Sequence, residues 1–480
     1  MEPSDRSLPL WAQRLIGLRC ERAWSAADLA RELRKLRDDL PSVRSLTHMI
    51  QMDWETGKHR PGPRYRLLLA AIYGAVEHEI FADQAADKLP VRPGYRPDNG
   101  LAELADTLTL AWGSGPVEVA RVVTGLWKAD IGRREVIASV WTVAALSEPL
   151  GRWLFDPEDR DIGCAGTLYV GRPEVDAVWS MCSAFADADR RLGGGHARRA
   201  LVCYADDVIA PLLAGRYTDE NGRQLFAAVA RLCDIAGFMC FDSGRQGLGQ
   251  KYFITALRMA KTSGDQALGA HILTDMSMQA QFQRHAHQAV TLADAGVAAA
   301  VRSGSASALA RCRAVQARAL AQRGDASDSD HALNEAERAL DRSASRSEPF
   351  WITFFTPEQL AAESMYTAAE LRRASLVQLH AASALRAADG MQRRHVLATA
   401  TLAASYLPAE DTAVANADTD VEQACEVLRG VLPVIGSLTS ARALGLVSRV
   451  RSRLASYRQM PVVQELERDL DECMIGAESW

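Results

Sequence analysis

Apolar residues recur every three to four positions along almost the whole chain, and strand-like alternation is nearly absent. Trp11, Leu15 and Leu18 share one helix face, as do Leu29, Leu33 and Leu36, while Leu46, Ile50 and Trp54 repeat at intervals of four. Pro61 and Pro63 interrupt the pattern, and Tyr65, Leu68, Leu69 and Ile72 form a further stripe that stops at Gly74. These stripes predict a small helical domain over residues 1–88. The next twelve residues, Leu89 to Gly100, hold three prolines and two glycines and predict a linker at 89–100.

Residues 101–222 form a second helical region, with a looser patch from Phe155 to Pro173. From residue 223 to 480 the chain repeats. Gly244, Arg284 and Gly324 mark inter-helix turns 40 residues apart, and small residues follow each at the same offset: Gly249, Ala289 and Ser329. In that register Phe253, Ala293 and Leu333 align, then Ala256, Gly296 and Ala336. Small side chains at fixed positions let paired helices approach closely, and each pair buries its apolar face only against the next. Leu360 to Leu385 and Val396 to Leu432 predict two more pairs, the latter interrupted by an acidic insertion from Pro408 to Asp420. The predicted fold class is therefore all-α, a small N-terminal domain followed by an α-solenoid of helix pairs.

Two stretches resemble known families. Ala236 to Asp265 resembles a tetratricopeptide repeat, with Ala236, Gly237, Gly244, Gly249, Phe253 and Ala256 at that repeat's spacing; Cys233 stands where an aromatic residue is usual, and Lys261 where a proline is. Leu10 to Gly74 resembles the Cro and phage-repressor type of helix-turn-helix, the XRE family. The most specific part is Trp54 to Pro61, of the form W-E-x-G-x-x-x-P. Gly57 there permits a left-handed helix stop and Pro61 sets up the next helix. The resemblance implies that Glu55 pairs with Arg19, and that Ser25 caps the second helix. The chain departs from the family in having Ala26 where a glutamine often touches DNA, a longer interval from Leu29 to Trp54, and one extra residue before Trp54.

If the resemblance holds, base edges are read from the helix spanning Ser42 to Met52. Its polar members are Ser42, Arg44, Ser45, Thr47, His48 and Gln51, with Arg44 suited to a guanine edge. Lys58, His59, Arg60, Arg64 and Arg66 follow, placed for phosphate contacts. The alternative for each is an ordinary solvated surface.

Charge fits a DNA-binding end. The net charge is −5, yet residues 1–74 carry 13 Lys+Arg against 9 Asp+Glu, leaving 42 and 51 for the rest. Nine scattered cysteines, without a C-x-x-C pair, read as small buried apolar residues rather than disulfides or a zinc site. No apolar run approaches the roughly 20 residues of a membrane span. Met1 to Leu10 has no secretory character, so the expected location is the cytoplasm.

Candidate chemistry is sparse: the sequence predicts no catalytic residues, no cofactor and no metal. Gly244 to Gly249 has no nucleotide-binding context, and His285 and His287 lie on different sides of a helix. Gly193, Gly194 and Gly195 open a basic helix and read as a hinge or an anion cradle. The expected function is a sequence-specific DNA-binding transcriptional regulator, with double-stranded DNA as partner and no membrane. Its repeats would hold a homodimer and bind a peptide, protein or small-molecule signal, as the resemblance to peptide-sensing quorum regulators implies. The rival is a repeat scaffold whose helix-turn-helix binds no DNA. Residues 101–480 are expected to dimerise alone and residues 1–88 not.

Overall fold

The computed structural model describes residues 8–21, 24–36, 40–73, 80–81, 112, 115–132, 140–345, 347–408 and 420–475. The linker 89–100, nearly all of the acidic insertion, the Gly74 stop and the side chains of Leu36 and Arg64 lie outside the described residues. The chain divides into two compact units, residues 1–109 with 142–157, and residues 110–141 with 158–480. Both are helical, apart from a two-residue antiparallel pairing in the second, and the helix-pair packing predicted from periodicity is present.

In the first unit, α1 (Leu10–Glu21), α2 (Ala26–Leu36), α3 (Val43–Met49) and α4 (Pro63–Tyr73) enclose a core of Trp11, Leu15, Leu29, Leu33, Leu46, Ile50, Trp54 and Leu69. Ser25 starts α2 as a reciprocal cap. Its hydroxyl accepts from the Asp28 amide at 3.2 Å, and Asp28 accepts from the Ser25 amide at 2.7 Å. Hydrogen bonds from the Ser25 hydroxyl and amide, both 2.7 Å to Asp28 Oδ2, hold the Asp28 carboxyl down at about 2.

The turn leading to Trp54 is π-helical, Ile50–Trp54, and in it the Glu55 amide reaches back five residues to the Ile50 carbonyl at 2.9 Å. An α-helix would swing Trp54 progressively off the Leu46–Ile50 stripe; the wider turn keeps all three buried. The helix stops at Gly57, whose φ is +69° and where a Cβ would lie 2.4 Å from the Pro9 ring. After α5 (Pro116–Gly132), which belongs to the second unit, α6 (Ala144–Phe155) returns to the first and packs on α4, burying Leu146, Leu150 and Trp153.

The second unit continues from β1 (Cys164–Ala165) through α7 (Arg172–Leu192), α8 (Gly194–Tyr204), a π-turn, α9 (Ala210–Leu213) and β2 (Arg216–Tyr217), which pairs with β1. Next come α10 (Asp219–Asp242), α11 (Gln246–Ser263), α12 (Gln266–Phe282), α13 (Ala286–Ser303), α14 (Ala306–Arg323), α15 (Ala326–Ser343), α16 (Pro357–Glu370) and α17 (Ala374–Arg386). They pack as four hairpins, α10–α11, α12–α13, α14–α15 and α16–α17. The chain ends with α18 (Gln392–Ser405), α19 (Val421–Arg429), α20 (Leu432–Ile435), α21 (Ala441–Leu454) and α22 (Pro461–Ile475).

The four hairpins use one turn. Gly244, Arg284, Gly324 and Arg372 all have positive φ, at +85°, +61°, +99° and +57°. The amide of the following residue then reaches back to close each helix, as in Arg245 to Cys240 at 2.8 Å and Arg373 to Ala368 at 2.9 Å. Two of the four positions are arginine, so this shared backbone is not marked by glycine alone. The fourth turn comes 48 rather than 40 residues after the third, because residues 344–356 insert an extra turn with the 3-10 segment Phe350–Ile352.

Two expectations change. Helix α10 is long and apolar enough by length and composition to cross a membrane, although 89% of its most apolar window is buried within the structure. Of the cysteines, Cys182, Cys233, Cys240, Cys312 and Cys425 are buried as expected, but Cys20 is exposed and Cys164, Cys203 and Cys473 are half-buried. Desolvation pushes the buried thiols up, to about 12 for Cys182 and Cys240.

Candidate nucleic-acid interface and an arginine-lined cavity

Helix α3 presents two different faces. Leu46, Ile50 and Trp54 point into the core, while Arg44, Ser45, His48 and Gln51 are exposed. Arg44, His48 and Gln51 fall at offsets of four and seven, on one side of the helix. Ser42 caps it, accepting from the Ser45 amide at 3.3 Å, and so is engaged with the backbone. Thr47 is half-buried, and its hydroxyl donates to the Val43 carbonyl at 2.7 Å. Of the six predicted readers, Arg44, His48 and Gln51 stand exposed, Ser45 is exposed with its hydroxyl 2.9 Å from that of Ser42, and Ser42 and Thr47 serve the helix itself.

Beneath this face, Arg19 grips Glu55 with two hydrogen bonds, 2.5 and 3.0 Å, and donates to the Trp24 carbonyl at 2.6 Å. This is the pairing the family resemblance implies. It fixes the end of the π-turn against α1, and the Glu55 carboxylate raises the Arg19 pKa. Lys58 and His59 are exposed in the following turn. Arg60 is exposed too, but it donates to the Phe81 carbonyl and lies 6.0 Å from the Phe81 ring centroid, holding residues 80–81 to the turn. Sequence gave no sign of that second task.

The second unit contains a cavity of about 130 Å³, lined from α7, α10, α12, α14, α16, α17, α18 and α21 with the 354–355 segment. The repeat register builds it. Arg231, His271, Arg311 and Gln359 each stand thirteen residues before a hairpin turn, and Phe238, Met278, Arg318 and Tyr366 each stand six before; all eight line the cavity. The first helix of every hairpin thus supplies the same two inward positions. Helix α18 packs on α7 and closes the far wall, with Arg393 donating to Asp189 at 2.9 and 3.1 Å.

Seven arginines line this cavity against four carboxylates, an unusual load of charge for a protein interior. The carboxylates are matched: Asp234 to Arg231, Asp275 to Arg311, Glu363 to Arg318 at 3.2 Å and Asp189 to Arg393. His271 sits between Arg231 and Arg311, its Nε2 3.3 Å from Asp234 and its Nδ1 3.1 Å from Arg311. Burial and the two flanking guanidinium groups push its pKa well below 6.5, so it is neutral at pH 7. A guanidinium group faces each ring nitrogen, Arg231 at 2.8 Å from Nε2 and Arg311 at 3.1 Å from Nδ1, so whichever nitrogen is unprotonated accepts from an arginine.

Asp234, His271 and Asp275 offer ligand atoms within 4.8 Å of one another, close enough to share a metal ion. The donor set does not fit one well, because guanidinium groups already hold both carboxylates and stand where an ion's charge would go. The trio is better described as an ion network that ties α10, α12 and α14 together. Among the described residues Asp234 Oδ1, Gln359 Oε1 and Glu363 Oε2, all on residues of the lining, have no hydrogen-bond partner, Glu363 Oε2 meeting Arg318 only as an ion pair.

The triglycine segment is neither hinge nor open cradle. Gly193 has φ +87°, a Cβ on Gly194 would lie 2.4 Å from the Met239 carbonyl, and one on Gly195 would lie 2.8 Å from Thr439. The anion at the start of α8 is the protein's own Asp242, which accepts from the Gly194 amide at 3.2 Å. Asp242 also accepts from Ser440 at 2.7 Å and Arg393 at 3.2 Å, and these donors hold its pKa below 3.8. His285 has a structural place as well, stacked on Trp141 at 4.9 Å. No protein-family model, curated protein or solved structure matches the chain.

Proposed function

We propose that the chain is a sequence-specific DNA-binding transcriptional regulator. In this reading α2 and α3 form a helix-turn-helix of the Cro and phage-repressor type, and the helix pairs of the second unit are tetratricopeptide-like. The observation that carries it is the outward face of α3, where Arg44, Ser45, His48 and Gln51 stand exposed on a helix anchored by the buried Leu46, Ile50 and Trp54. A helix held this way can enter a major groove without rearranging its core. Lys58 and His59 are placed to meet phosphates, and the basic excess of residues 1–74 favours approach to DNA. The second unit pairs two copies, so that two reading helices meet two half-sites, and it receives the signal that changes their affinity.

The test is selection of bound duplexes from a random library with the full chain, followed by titration at several salt concentrations. A single enriched motif with affinity falling steeply with salt is the expected result. Arg44→Ala should then cost about 1–3 kcal/mol on that motif and relax discrimination at one base position. Absence of binding to any duplex at low salt would leave a repeat scaffold instead. Sedimentation of the full chain tests the pairing; a monomer at tens of micromolar would remove it.

A further inference from the structure

The cavity's charge does not balance. Arg394 has no ion pair or hydrogen bond among the described residues, and its guanidinium carbon lies 5.9 Å from the Phe354 ring centroid. Arg442 lies against two aromatic rings, 5.5 Å from the centroid of Phe238, and its nearest carboxylate is Asp242 at 3.8 Å. That carboxylate already accepts from a serine, a backbone amide and another arginine. Both surplus guanidinium groups have depressed pKa values, to about 10 for Arg394, because burial and neighbouring cations disfavour their charge. The charges of both act on Tyr366, which places them around one region of the lining.

Desolvating a cation without a close partner is strongly unfavourable, so Arg394, which has none among the described residues, and Arg442, whose one carboxylate is 3.8 Å away and shared, are expensive to keep for stability alone. The cavity is close in size to the ~150 Å³ that accepts a benzene ring, too small for a folded partner or a helix. Its wall is aromatic where the surplus charge lies. We infer that this cavity binds a small organic oxyanion, a carboxylate or phosphate ester on an aromatic or apolar body, with Arg394 and Arg442 on the oxyanion and Phe238 and Phe354 against the body. Planar guanidinium groups match such oxyanions through paired hydrogen bonds. The inference rests on the reading of the second unit as the signal-receiving part, though the binding itself requires no DNA.

The experiment uses the full chain without DNA and four probes: benzoate, phenyl phosphate, inorganic phosphate and benzyl alcohol. Either aromatic anion at saturating concentration should raise the melting temperature of the second unit by about 2–5 °C. Benzyl alcohol should not, and inorganic phosphate should do so weakly. A preference between the two aromatic anions identifies the oxyanion. Arg394→Gln should raise the melting temperature of the empty protein while weakening the anion at least tenfold, a combination that a purely structural arginine would not produce. Arg442→Gln should weaken the anion likewise. No shift with either aromatic anion, an equal shift with benzyl alcohol, or unchanged anion affinity in Arg394→Gln would overturn the inference. Failure of Arg394→Gln to fold would also overturn it, by showing that the arginine is compensated within the protein. Loss of DNA binding in the selection above would leave these outcomes unaffected.

Discussion

The two units place charge on opposite sides of their helices. In the first, α3 turns its polar residues outward and the core is wholly apolar and aromatic, with Trp54 5.0 Å from Tyr65. In the second, the inner face of each hairpin's first helix carries arginine, histidine and aspartate around a cavity. Size explains much of the difference. A small domain buries too little apolar surface to offset a desolvated charge, whereas an array of packed hairpins has burial to spare. Under the functions proposed above, a surface that reads a large polyanion has to be outside, and a site for a small anion gains selectivity by being inside.

The contrast can be broken most forcefully at Trp54. Trp54→Ala should cost roughly 3–5 kcal/mol and unfold the first unit, while the second melts as before. Calorimetry of the full chain checks this, and loss of both transitions together would mean that the units do not fold separately.

In the second unit the corresponding weak point is polar. Asp242→Ala strips the acceptor from Arg393, Ser440 and the Gly194 amide together, and should cost about 3–5 kcal/mol, seen in the second transition only. A loss below about 1 kcal/mol would show that water replaces the carboxylate and that the region is wetter than described.

A smaller effect concerns pH. The folded state holds His271 neutral, so below pH 6.5 the unfolded chain binds a proton that the folded chain does not. Stability therefore falls on acidification, at up to about 1.4 kcal/mol per pH unit for this group. His271→Gln should remove that component between pH 6.5 and 5, measured as the difference between two denaturant titration series. An unchanged slope would mean that His271 protonates in place.

Much of the first unit was legible because its signals are local. The Leu46–Ile50–Trp54 stripe, the Gly57 stop and the Arg19–Glu55 pair all follow from short-range spacing or a recognisable motif. The hairpin turns at Gly244, Arg284 and Gly324 were legible for a similar reason, since period alone located even the arginine. The cavity was not, although Arg231, His271 and Arg311 stand exactly one period apart. The repeat shows itself in apolar and small residues, whereas these inward positions are polar and vary in kind, and the insertion at 344–356 shifts Gln359 and Tyr366 out of register. Long-range pairings other than Arg19–Glu55 left no trace. Nothing near Gly194 announces Asp242, 48 residues away, and nothing in residues 144–155 marks them as part of the first unit.

That last feature bears on how the protein is made. Helix α6 covers part of α4, yet the ribosome delivers it only after α5 and its neighbours. At about 5–20 residues per second, the nascent chain waits several seconds between finishing α4 and receiving its cover. During that interval an apolar strip of α4 is open to chaperones or to a second nascent chain. A fragment ending in the 89–100 segment would freeze that unfinished state permanently.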